Sequence, residues 1–439
     1  MKQFFGSIIL SYLRFFATWK LQIIHPKIIG VTGSVGKTSA IHGLHMIVSK
    51  NYETKTTLKG NSESGIPLEI LNIKLNNFSI VSWLKAMVLA PFQVFDGESY
   101  DVLIVEMGVD APTEPKNMGY LLKIIKPDIG IILNISAVHT EQFQGDVAAI
   151  AKEKALLVTT MDKTKTAIIN GDDRYLQQFL PKIQAETLTF GRGKGATLRI
   201  VEYQVKNFST AFTYEWQGKK FHLKFSDQLF FEEYGQIFAA MLLCGWKVGI
   251  PIEDSIRMLE EGYRVPPGRL SVLKGEKQAT IIDSSYNASP AATVAVLNLI
   301  KNISVSGKKI LVLGDMRELG VLEEEKHREI GIFAAQSGEH IVLVGPLMKK
   351  YALPAILNTG FSKDHVHVFD TAKDVGQFVF QKLMKRNDLV LVKGSQNTIY
   401  LEAVVYDLMK EKKRAKELLC RQSDYWTNVR KQFFSKKTL

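Results

Sequence analysis

Short apolar runs separated by helix-like stretches account for most of the chain. Runs that are apolar throughout, rather than alternating, are typical of strands in a parallel sheet that is covered on both faces. Four of them occur in the first half, at residues 27–29, 102–108, 128–134 and 167–170. Helical patterns lie between them, at residues 40–47 and from about Val147 onward. This order predicts an α/β domain with a mostly parallel sheet.

The pattern changes twice further along the chain. Residues 196–225 alternate between apolar and polar side chains, and Gln217-Gly218 favours a hairpin turn, so we predict a small antiparallel sheet appended to the parallel one. Residues 265–270 include two prolines and predict a stiff linker. Beyond the linker, apolar runs alternate with helices again, which predicts a Rossmann-like C-terminal α/β domain. These runs are residues 280–283, 310–315, 340–345 and 388–395. The predicted divisions are an apolar N-terminal segment (1–24), a central domain (25–266) and a C-terminal domain with a basic tail (267–439).

Residues 30–39 lie between a predicted strand and a predicted helix, which is the context of a phosphate-binding loop. Backbone N–H groups of such a loop surround a polyphosphate, and the helix N-terminus adds partial positive charge. Lys37 would neutralise phosphate oxygens, and the Thr38 hydroxyl would reach a Mg²⁺ ion. The loop is a variant, because Val31 occupies the place of the first glycine in the strict motif. An ordinary glycine-rich turn is the alternative, and the adjacent Gly-Lys-Thr argues against it.

Polar residues follow other predicted strands of the central domain. Glu106 ends one strand and is a candidate Mg²⁺ ligand, with capping of the next turn as the alternative. His139 follows another strand and is a second candidate metal ligand. Lys152 and Lys154 lie on the helix that follows, where a lysine normally faces solvent, so the residues alone give Lys154 no role.

Composition adds three constraints. The 439 residues, 46% of them hydrophobic, suffice for two or three domains with sizeable cores. Cys244 and Cys420 have no metal-ligand spacing and are typical of a reducing compartment. The formal charge of +12 suits anionic ligands or an anionic surface.

The two ends of the chain leave alternatives open. Residues 1–24 are apolar and aromatic, interrupted by Arg14 and Lys20, and are too short and too charged for a membrane-spanning helix. They predict either an interfacial helix or a helix packed on the core. Peripheral attachment at the inner membrane face is favoured, because Arg14 and Lys20 would need partners in a packed core. Residues 80–95 form a second apolar patch, expected in the core. Residues 410–439 hold ten Lys/Arg against three Asp/Glu, which indicates a solvated helix face or attraction to phosphate or membrane.

Several spaced motifs, taken together and in order, resemble those of the Mur ligases, the ATP-dependent amino-acid and peptide ligases of peptidoglycan synthesis. The motifs are residues 32–38, 106–108, 134–139, 170–173, 268–270, 283–290, 313–320 with His327, and 393–395. The resemblance implies that ATP phosphorylates a substrate carboxylate and that an amine then displaces phosphate. The implied reaction is the addition of D-alanyl-D-alanine to a UDP-muramoyl-tripeptide.

The resemblance also implies roles for individual residues. Lys37, His139 and Lys154 would be catalytic, with Lys154 carbamylated by CO₂ and thereby converted from a cation to an anion. Thr38 and Glu106 would ligate one Mg²⁺, and His139 would help to hold a second Mg²⁺, which the carbamylated Lys154 would support. Asn61, Lys393 and Ser395 would contact the substrates. The ATP-binding residues would be Gly33, Ser34, Val35, Gly36, Lys37, Thr38, Ser39, Arg269, Asp283 and Asn287.

The chain departs from the family pattern in places. Ser284 replaces a second acid, Ser289 an asparagine and Leu156 a glutamate, and residues 234–236 replace a His-Asn pair. Only 29 residues precede Gly30, so we expect no counterpart of the family's N-terminal UDP-binding domain. A ligase for a different acceptor and a nucleotide-switched, membrane-associated scaffold are the alternatives. We expect a cytoplasmic monomer that binds small-molecule peptide and sugar-nucleotide substrates and no nucleic acid.

Overall fold

The computed structural model describes residues 2–57, 60–75, 77, 79–136, 140–395 and 399–436. Two compact units divide the chain. The first contains residues 1–203, 211–224 and 232–263, and the second contains residues 204–210, 225–231 and 264–439.

A nine-stranded sheet carries the first half of the chain, in the order β2-β3-β1-β4-β5-β6-β7-β8-β9. Strands β2 to β6 run parallel to their neighbours, and β6 and β7 are also parallel over a short register. The strands are β1 (Lys27–Thr32), β2 (Thr54–Thr56), β3 (Val102–Glu106), β4 (Ile129–Ile132), β5 (Thr166–Asn170), β6 (Glu186–Gly191), β7 (Leu198–Lys206), β8 (Ser209–Trp216) and β9 (Lys219–Phe225). The helices are α1 (Lys2–Ile24), α2 (Lys37–Val48), α3 (Gly65–Ile70), α4 (Ile80–Gln93), α5 (Met118–Ile124), α6 (Val147–Thr159), α7 (Tyr234–Lys247) and α8 (Ile252–Gly262).

The strand periodicity explains this arrangement. Every residue of β3, β4 and β5 is buried, as expected for strands covered on both faces. The alternating segment forms β7, β8 and β9, whose two-residue connections require antiparallel neighbours. Gln217 and Gly218 adopt φ values of 50° and 75°, so the predicted hairpin turn is confirmed. The antiparallel strands continue the parallel sheet.

A six-stranded sheet carries the second unit, in the order β10-β11-β15-β12-β13-β14. Only β10 is antiparallel to its neighbour, and the other pairs are parallel. The strands are β10 (Ser271–Lys274), β11 (Thr280–Ser284), β12 (Lys309–Gly314), β13 (His340–Val344), β14 (Val366–Phe369) and β15 (Leu389–Lys393). The helices are α9 (Pro290–Asn302), α10 (Glu323–Ala335), α11 (Leu353–Asn358), α12 (Val375–Phe378), α13 (Glu402–Leu408), α14 (Ala415–Leu418) and α15 (Asp424–Lys436). The predicted mostly parallel second α/β sheet is confirmed.

Helix α1 packs on the core of the first unit, and this corrects the argument made from its charges. Lys20 is fully buried and pairs with Asp96 at 2.6 Å and Glu98 at 3.0 Å. The Arg14 guanidinium lies 5.1 Å from the centre of the Tyr120 ring. Both cations have partners inside the unit, so their presence does not require a membrane.

Residues 80–95 also differ from expectation. They form α4, in which only Ala86 and Ala90 are buried, while most of the large apolar side chains face outward. Ala86, Ala90 and Val94 belong to the buried core, so the prediction that this patch lies in the core holds for one side of it only. Within the described part of the chain, no helix has the length and apolar character needed to cross a membrane.

Candidate active site

A tight loop joins β1 to α2 at the carboxyl edge of the first sheet. Gly36 has φ +89°, and a Cβ at this position would lie 2.6 Å from Ile237 Cδ1. A side chain at this position would therefore be strained by the positive φ and would have to displace the end of the Ile237 side chain. Helix α2 begins at Lys37, so its unpaired N–H groups point into the loop. Such a loop binds phosphate.

Asn134, which follows β4, holds this loop in shape. Its Oδ1 accepts the Val35 N–H and its Nδ2 donates to the Val35 carbonyl, both at 2.9 Å. The Asn134 carbonyl accepts the Ser34 N–H at 2.9 Å. Ser34 Oγ in turn accepts the Ser136 N–H at 2.9 Å. The loop is thus fixed from the neighbouring strand before a ligand binds.

The side chains of the loop turn toward an acid on β3. Thr38 donates from its hydroxyl to Glu106 Oε2 at 2.9 Å, and Asn61 Nδ2 donates to Glu106 Oε1 at 3.1 Å. Lys37 Nζ donates to the Gly33 carbonyl at 2.9 Å, within reach of the space in front of the loop. Burial lowers the pKa of Lys37, and the carboxylates of Glu106 and Asp110 oppose that shift. Ser39 lies in the first turn of α2, where its carbonyl accepts the Tyr263 hydroxyl at 3.4 Å.

Lys154 enters the same cavity from α6. It is only 4% exposed, and it lines the cavity together with Lys37, Asn61 and Asp110. Burial, and secondarily the positive charge of Lys37, lowers the pKa of Lys154 to about 8. The usual solvated position of a helical lysine does not apply here. Its buried position results from the register of α6, because Ile150, Ala151 and Ala155 lie on the same buried face.

The donor set at Glu106 fits a hard cation. A carboxylate and a hydroxyl 2.9 Å apart, both beside a phosphate-binding loop, are oxygen ligands of the kind Mg²⁺ prefers. Among the described residues, no group of three or more His, Cys, Asp or Glu side chains is placed to hold a metal ion. His139, the other predicted metal ligand, lies outside the described residues.

The residues that depart from the family pattern near α7 form a polar link instead. Asn170 Nδ2 donates hydrogen bonds to Gln236 Oε1 and to the Leu133 carbonyl, both at 3.0 Å. Asn170 ends β5, and β5 pairs with β4, the strand that leads to Asn134. Gln236 therefore ties α7 to the carboxyl edge of the sheet.

The second unit brings together a separate set of predicted residues at the carboxyl ends of β11 and β15. Lys393 is buried, and its Nζ donates to the Asn287 carbonyl at 3.0 Å and to Ser284 Oγ at 3.3 Å. Burial lowers the pKa of Lys393 to about 8, although the negative charge of Asp283 opposes this shift. Ser395 Oγ lies 3.5 Å from Asn287 Oδ1. Asn287, Lys393 and Ser395 thus share one small polar cluster.

Asp283 lies beneath this cluster. It is fully buried, its Oδ1 accepts the Ser285 N–H at 2.9 Å, and its Oδ2 has no partner among the described residues. Burial raises the pKa of Asp283 to about 6. The predicted nucleotide contact of Asp283 would need this carboxylate to become accessible, and the structure shows it supporting the loop after β11.

Arginines surround the next residue of that loop. The guanidinium groups of Arg269 and Arg421 lie 4.6 and 5.3 Å from the centre of the Tyr286 ring. Arg421 also donates to the Tyr286 carbonyl and pairs with buried Glu402 at 3.1 Å. Arg430 pairs with the other oxygen of Glu402 at 3.2 Å. Part of the basic tail is thus buried structure, which neither interpretation of its charge anticipated.

Four residues in these sites had no predicted role. Asn134 falls within a recognised motif, but its hydrogen bonds to Val35 depend on the pairing of β1 with β4, which the motif does not show. Asp110 lies just after the motif at residues 106–108, so its position in the sequence was sufficient to identify it as a candidate site residue. Glu402 and Arg421 are 19 residues apart, and nothing in the sequence indicates their pairing.

Fold and site together define a class of protein. A parallel sheet presents a phosphate-binding loop, an acid and a buried lysine at one edge, which is the arrangement of a nucleotide-dependent enzyme. Comparison with known families narrows that class. The family model of the Mur ligase middle domain matches residues 31–229, and that of the Mur ligase glutamate ligase domain matches residues 268–396. The chain belongs to the Mur ligase family.

Individual relatives agree with this assignment. The chain is 29% identical over 408 residues to the UDP-N-acetylmuramoyl-tripeptide–D-alanyl-D-alanine ligase of Bacillus subtilis (strain 168), with 91% of this chain and 80% of the relative covered. Identity to the ligase of the same name from Escherichia coli (strain K12) is 24% over 402 residues, with 88% and 78% covered.

Solved structures show the same fold. MurF ligase from Thermotoga maritima in complex with ADP aligns with a TM-score of 0.66 at 23% identity, covering 96% of this chain and 84% of that chain. A MurF structure from Acinetobacter baumannii aligns with a TM-score of 0.72 at 23% identity, covering 92% and 81%. The predicted fold class is confirmed.

Proposed function

We propose that this Mur-type ligase joins D-alanyl-D-alanine to the carboxylate of a UDP-muramoyl-tripeptide with hydrolysis of ATP to ADP and phosphate. A carboxylate oxygen attacks the γ-phosphorus, ADP leaves, and the dipeptide amine then attacks the acyl carbon and releases phosphate. This order is chemically reasonable, because a carboxylate is a poor electrophile and phosphorylation converts one oxygen into a good leaving group. The relatives from Bacillus subtilis and Escherichia coli are ligases named for these substrates, which supports the choice.

One observation supports the reaction most strongly: Lys37 and Lys154 line the same cavity in front of the phosphate-binding loop. Two lysines with lowered pKa values at one site are unusual, and each suits a different task. Lys37 would neutralise the β- and γ-phosphates as charge shifts toward the leaving ADP. Lys154 would react as a neutral amine with CO₂ and become an anionic carbamate.

The remaining residues of the first unit would position ATP. Backbone N–H groups of residues 33–36 and of Ser39 would surround the phosphates. Thr38 and Glu106 would hold one Mg²⁺, and His139 and the carbamylated Lys154 would help to hold a second. These ions would supply positive charge at the transferring phosphoryl group. Asn61 fixes one oxygen of Glu106 and would also contact the acyl substrate.

The polar cluster in the second unit would contact the nucleotide and the incoming dipeptide. Arg269 and Asn287 are proposed contacts of the nucleotide, and Lys393 and Ser395 of the incoming dipeptide. Asp283, also predicted to contact the nucleotide, would do so only when its buried carboxylate becomes accessible. The hydrogen bonds that join Asn287 to Lys393 and Ser395 support a coupled arrangement, in which one ligand orders the residues that receive the other. Residues 25–266 and 267–439 are the corresponding proposed functional domains.

We further propose that the chain acts as a cytoplasmic monomer with no nucleic-acid partner. The two cysteines are free and buried, which is compatible with a reducing compartment. A scaffold that only binds nucleotide would need the loop and Lys37 but would have no use for a buried lysine beside them. The scaffold is therefore the weaker proposal.

A panel of acceptors tests the function. The purified chain is incubated with ATP, Mg²⁺, D-alanyl-D-alanine and UDP-muramoyl peptides of different lengths, and ADP release is measured with each component omitted in turn. We expect ADP release to require both the tripeptide acceptor and the dipeptide. Release with a different acceptor would reassign the substrate, and release independent of every acceptor would favour a nucleotide-switched protein. The Lys152→Ala variant, altered at an exposed lysine on the same helix, is the matched control for Lys154→Ala.

A further inference from the structure

Helices α1 and α4 expose a continuous apolar surface, here called the α1–α4 face. Its large side chains are between 38% and 79% exposed. They are Ile8, Phe15 and Trp19 of α1, Ile80, Val81, Leu84, Val88 and Phe92 of α4, and Phe95 just beyond it. Trp19 and Phe95 are in edge-to-face contact, with ring centres 5.3 Å apart, so the two helices present one surface.

The opposite sides of both helices are anchored in the core of the first unit. Leu13 and Ala17 of α1 and Ala86 and Ala90 of α4 belong to its buried cluster. The exposed apolar side chains are therefore held outward by packing and by the Lys20 ion pairs. Summed over the nine residues, the exposed area is on the order of 1,000 Å², whereas monomeric soluble proteins rarely expose patches above a few hundred. Such a surface requires an occupant.

The charges around the face select its chemistry. Neither α1 nor α4 contains an acidic residue, and Asp96 and Glu98, which follow Phe95, are paired with Lys20 and Lys55. Lys85 is exposed between Leu84 and Val88, and Lys74 is exposed just before α4. A lysine among apolar side chains can lie with its stem against hydrocarbon while its ammonium group reaches phosphate. Trp19 combines an apolar ring with a polar N–H, which suits the boundary between headgroups and acyl chains.

The same charges argue against a second copy of the chain. In a twofold symmetric contact the face would meet itself, and neither α1 nor α4 would offer a carboxylate to Lys85. Burying an unpaired ammonium group is costly. A bilayer with anionic headgroups has no such conflict.

We propose that the α1–α4 face docks on the surface of an anionic lipid bilayer, with α1 and α4 lying in the interface and no helix crossing it. This goes beyond the ligase reaction and does not depend on it. Both helices take part, so the site differs from an N-terminal segment that acts alone. Attachment would combine the buried apolar area with the attraction of Lys74 and Lys85 to anionic lipid.

Vesicle flotation of the full chain tests the proposal. The protein is mixed with vesicles of phosphatidylcholine alone or with about one-third phosphatidylglycerol and floated at low and high salt. We expect flotation with the anionic vesicles that weakens at high salt. The triple variant Leu84→Ser/Val88→Ser/Phe92→Ser should lower the apparent partition coefficient about tenfold or more, since it removes three exposed apolar side chains. Lys85→Glu should remove the preference for anionic vesicles.

Controls separate docking from unfolding and from self-association. Val321→Ser/Leu322→Ser/Ile332→Ser changes three exposed apolar residues of the second unit and should float like the unaltered chain. Thermal unfolding followed by circular dichroism should show both triple variants folded. The proposal is overturned if the unaltered chain floats with neither kind of vesicle, or if the α4 triple variant floats to the same extent as the unaltered chain. A dimer in light scattering that the α4 triple variant dissociates, with no flotation, would assign the face to a second copy instead.

Discussion

Replacing Lys154 by alanine should cost the enzyme its dependence on CO₂ together with most of its activity. Only the neutral amine reacts with CO₂, losing a proton as the N–C bond forms and leaving a carbamate. With a pKa of about 8, roughly a quarter of Lys154 is neutral at pH 7.5. An exposed lysine of pKa 10.5 is neutral about once in a thousand at that pH. Burial in this cavity thus raises the reactive fraction about 200-fold.

The pH dependence follows from the same shift. Below pH 7 Lys154 is mostly protonated, because the folded-state pKa lies near 8, so the carbamate should form poorly there. We therefore expect ligation at mildly acid pH to fall when CO₂ is removed and to recover on addition of bicarbonate. Losing the carbamate, and with it the support of a metal ion at the transferring phosphoryl group, should cost on the order of 100-fold in rate.

The assay compares the unaltered chain with Lys154→Ala and Lys152→Ala. In ¹³CO₂-equilibrated buffer, the unaltered chain and Lys152→Ala should show a carbamate carbon resonance that Lys154→Ala lacks. Small carboxylates should partly restore Lys154→Ala by filling the vacated anion position. Full activity of Lys154→Ala without any bicarbonate response would refute the reasoning and leave this lysine a structural residue.

The other predictions concern phosphate, metal and folding. Lys37→Ala should lower ligation on the order of 100-fold or more while the chain stays folded, and near-normal turnover at ordinary Mg²⁺ would contradict its role. Glu106→Ala should raise the Mg²⁺ concentration needed for half-maximal rate, because Thr38 then keeps no carboxylate beside it; an unchanged Mg²⁺ titration would remove Glu106 from the metal site. Lys20→Met should destabilise the fold by about 2–3 kcal/mol, below the roughly 3–5 kcal/mol of fully buried pairs because Asp96 and Glu98 are partly exposed. Urea unfolding measures this, and unaltered stability would show that the ion pairs contribute nothing net.

Local patterns were sufficient for the sheets and the loop. Fully apolar runs became β3, β4 and β5, and the Gly-Lys-Thr stretch became a loop between β1 and α2. These features depend on residues that are close in sequence, where period and turn chemistry decide the outcome. The buried position of Lys154 was also present in the sequence, because it falls at helical spacing from Ile150, Ala151 and Ala155. The general preference of lysine for solvent concealed that signal.

Long-range pairing explains what the sequence did not predict. The partners of Lys20 lie 76 and 78 residues away, so the sequence around Lys20 does not indicate them. Favouring a membrane because Lys20 would need partners in a packed core was therefore wrong. Helix α4 is apolar on nearly all sides, so its periodicity does not reveal which face is buried. The packing of α4 against the rest of the first unit leaves Val88 and Phe92 outside. Arg421 similarly needed Glu402 from another helix.

Oxygen transfer tests the central proposal most directly. The UDP-muramoyl-tripeptide is labelled with ¹⁸O in its terminal carboxylate and incubated with ATP, Mg²⁺, D-alanyl-D-alanine and the enzyme, and product and phosphate are analysed by mass spectrometry. We expect a ligated pentapeptide that has lost one ¹⁸O and released phosphate that carries one ¹⁸O, and we expect Lys37→Ala to form neither. Ligated product with unlabelled phosphate would contradict the acyl phosphate, and labelled substrate recovered unchanged beside ADP would contradict the ligase itself.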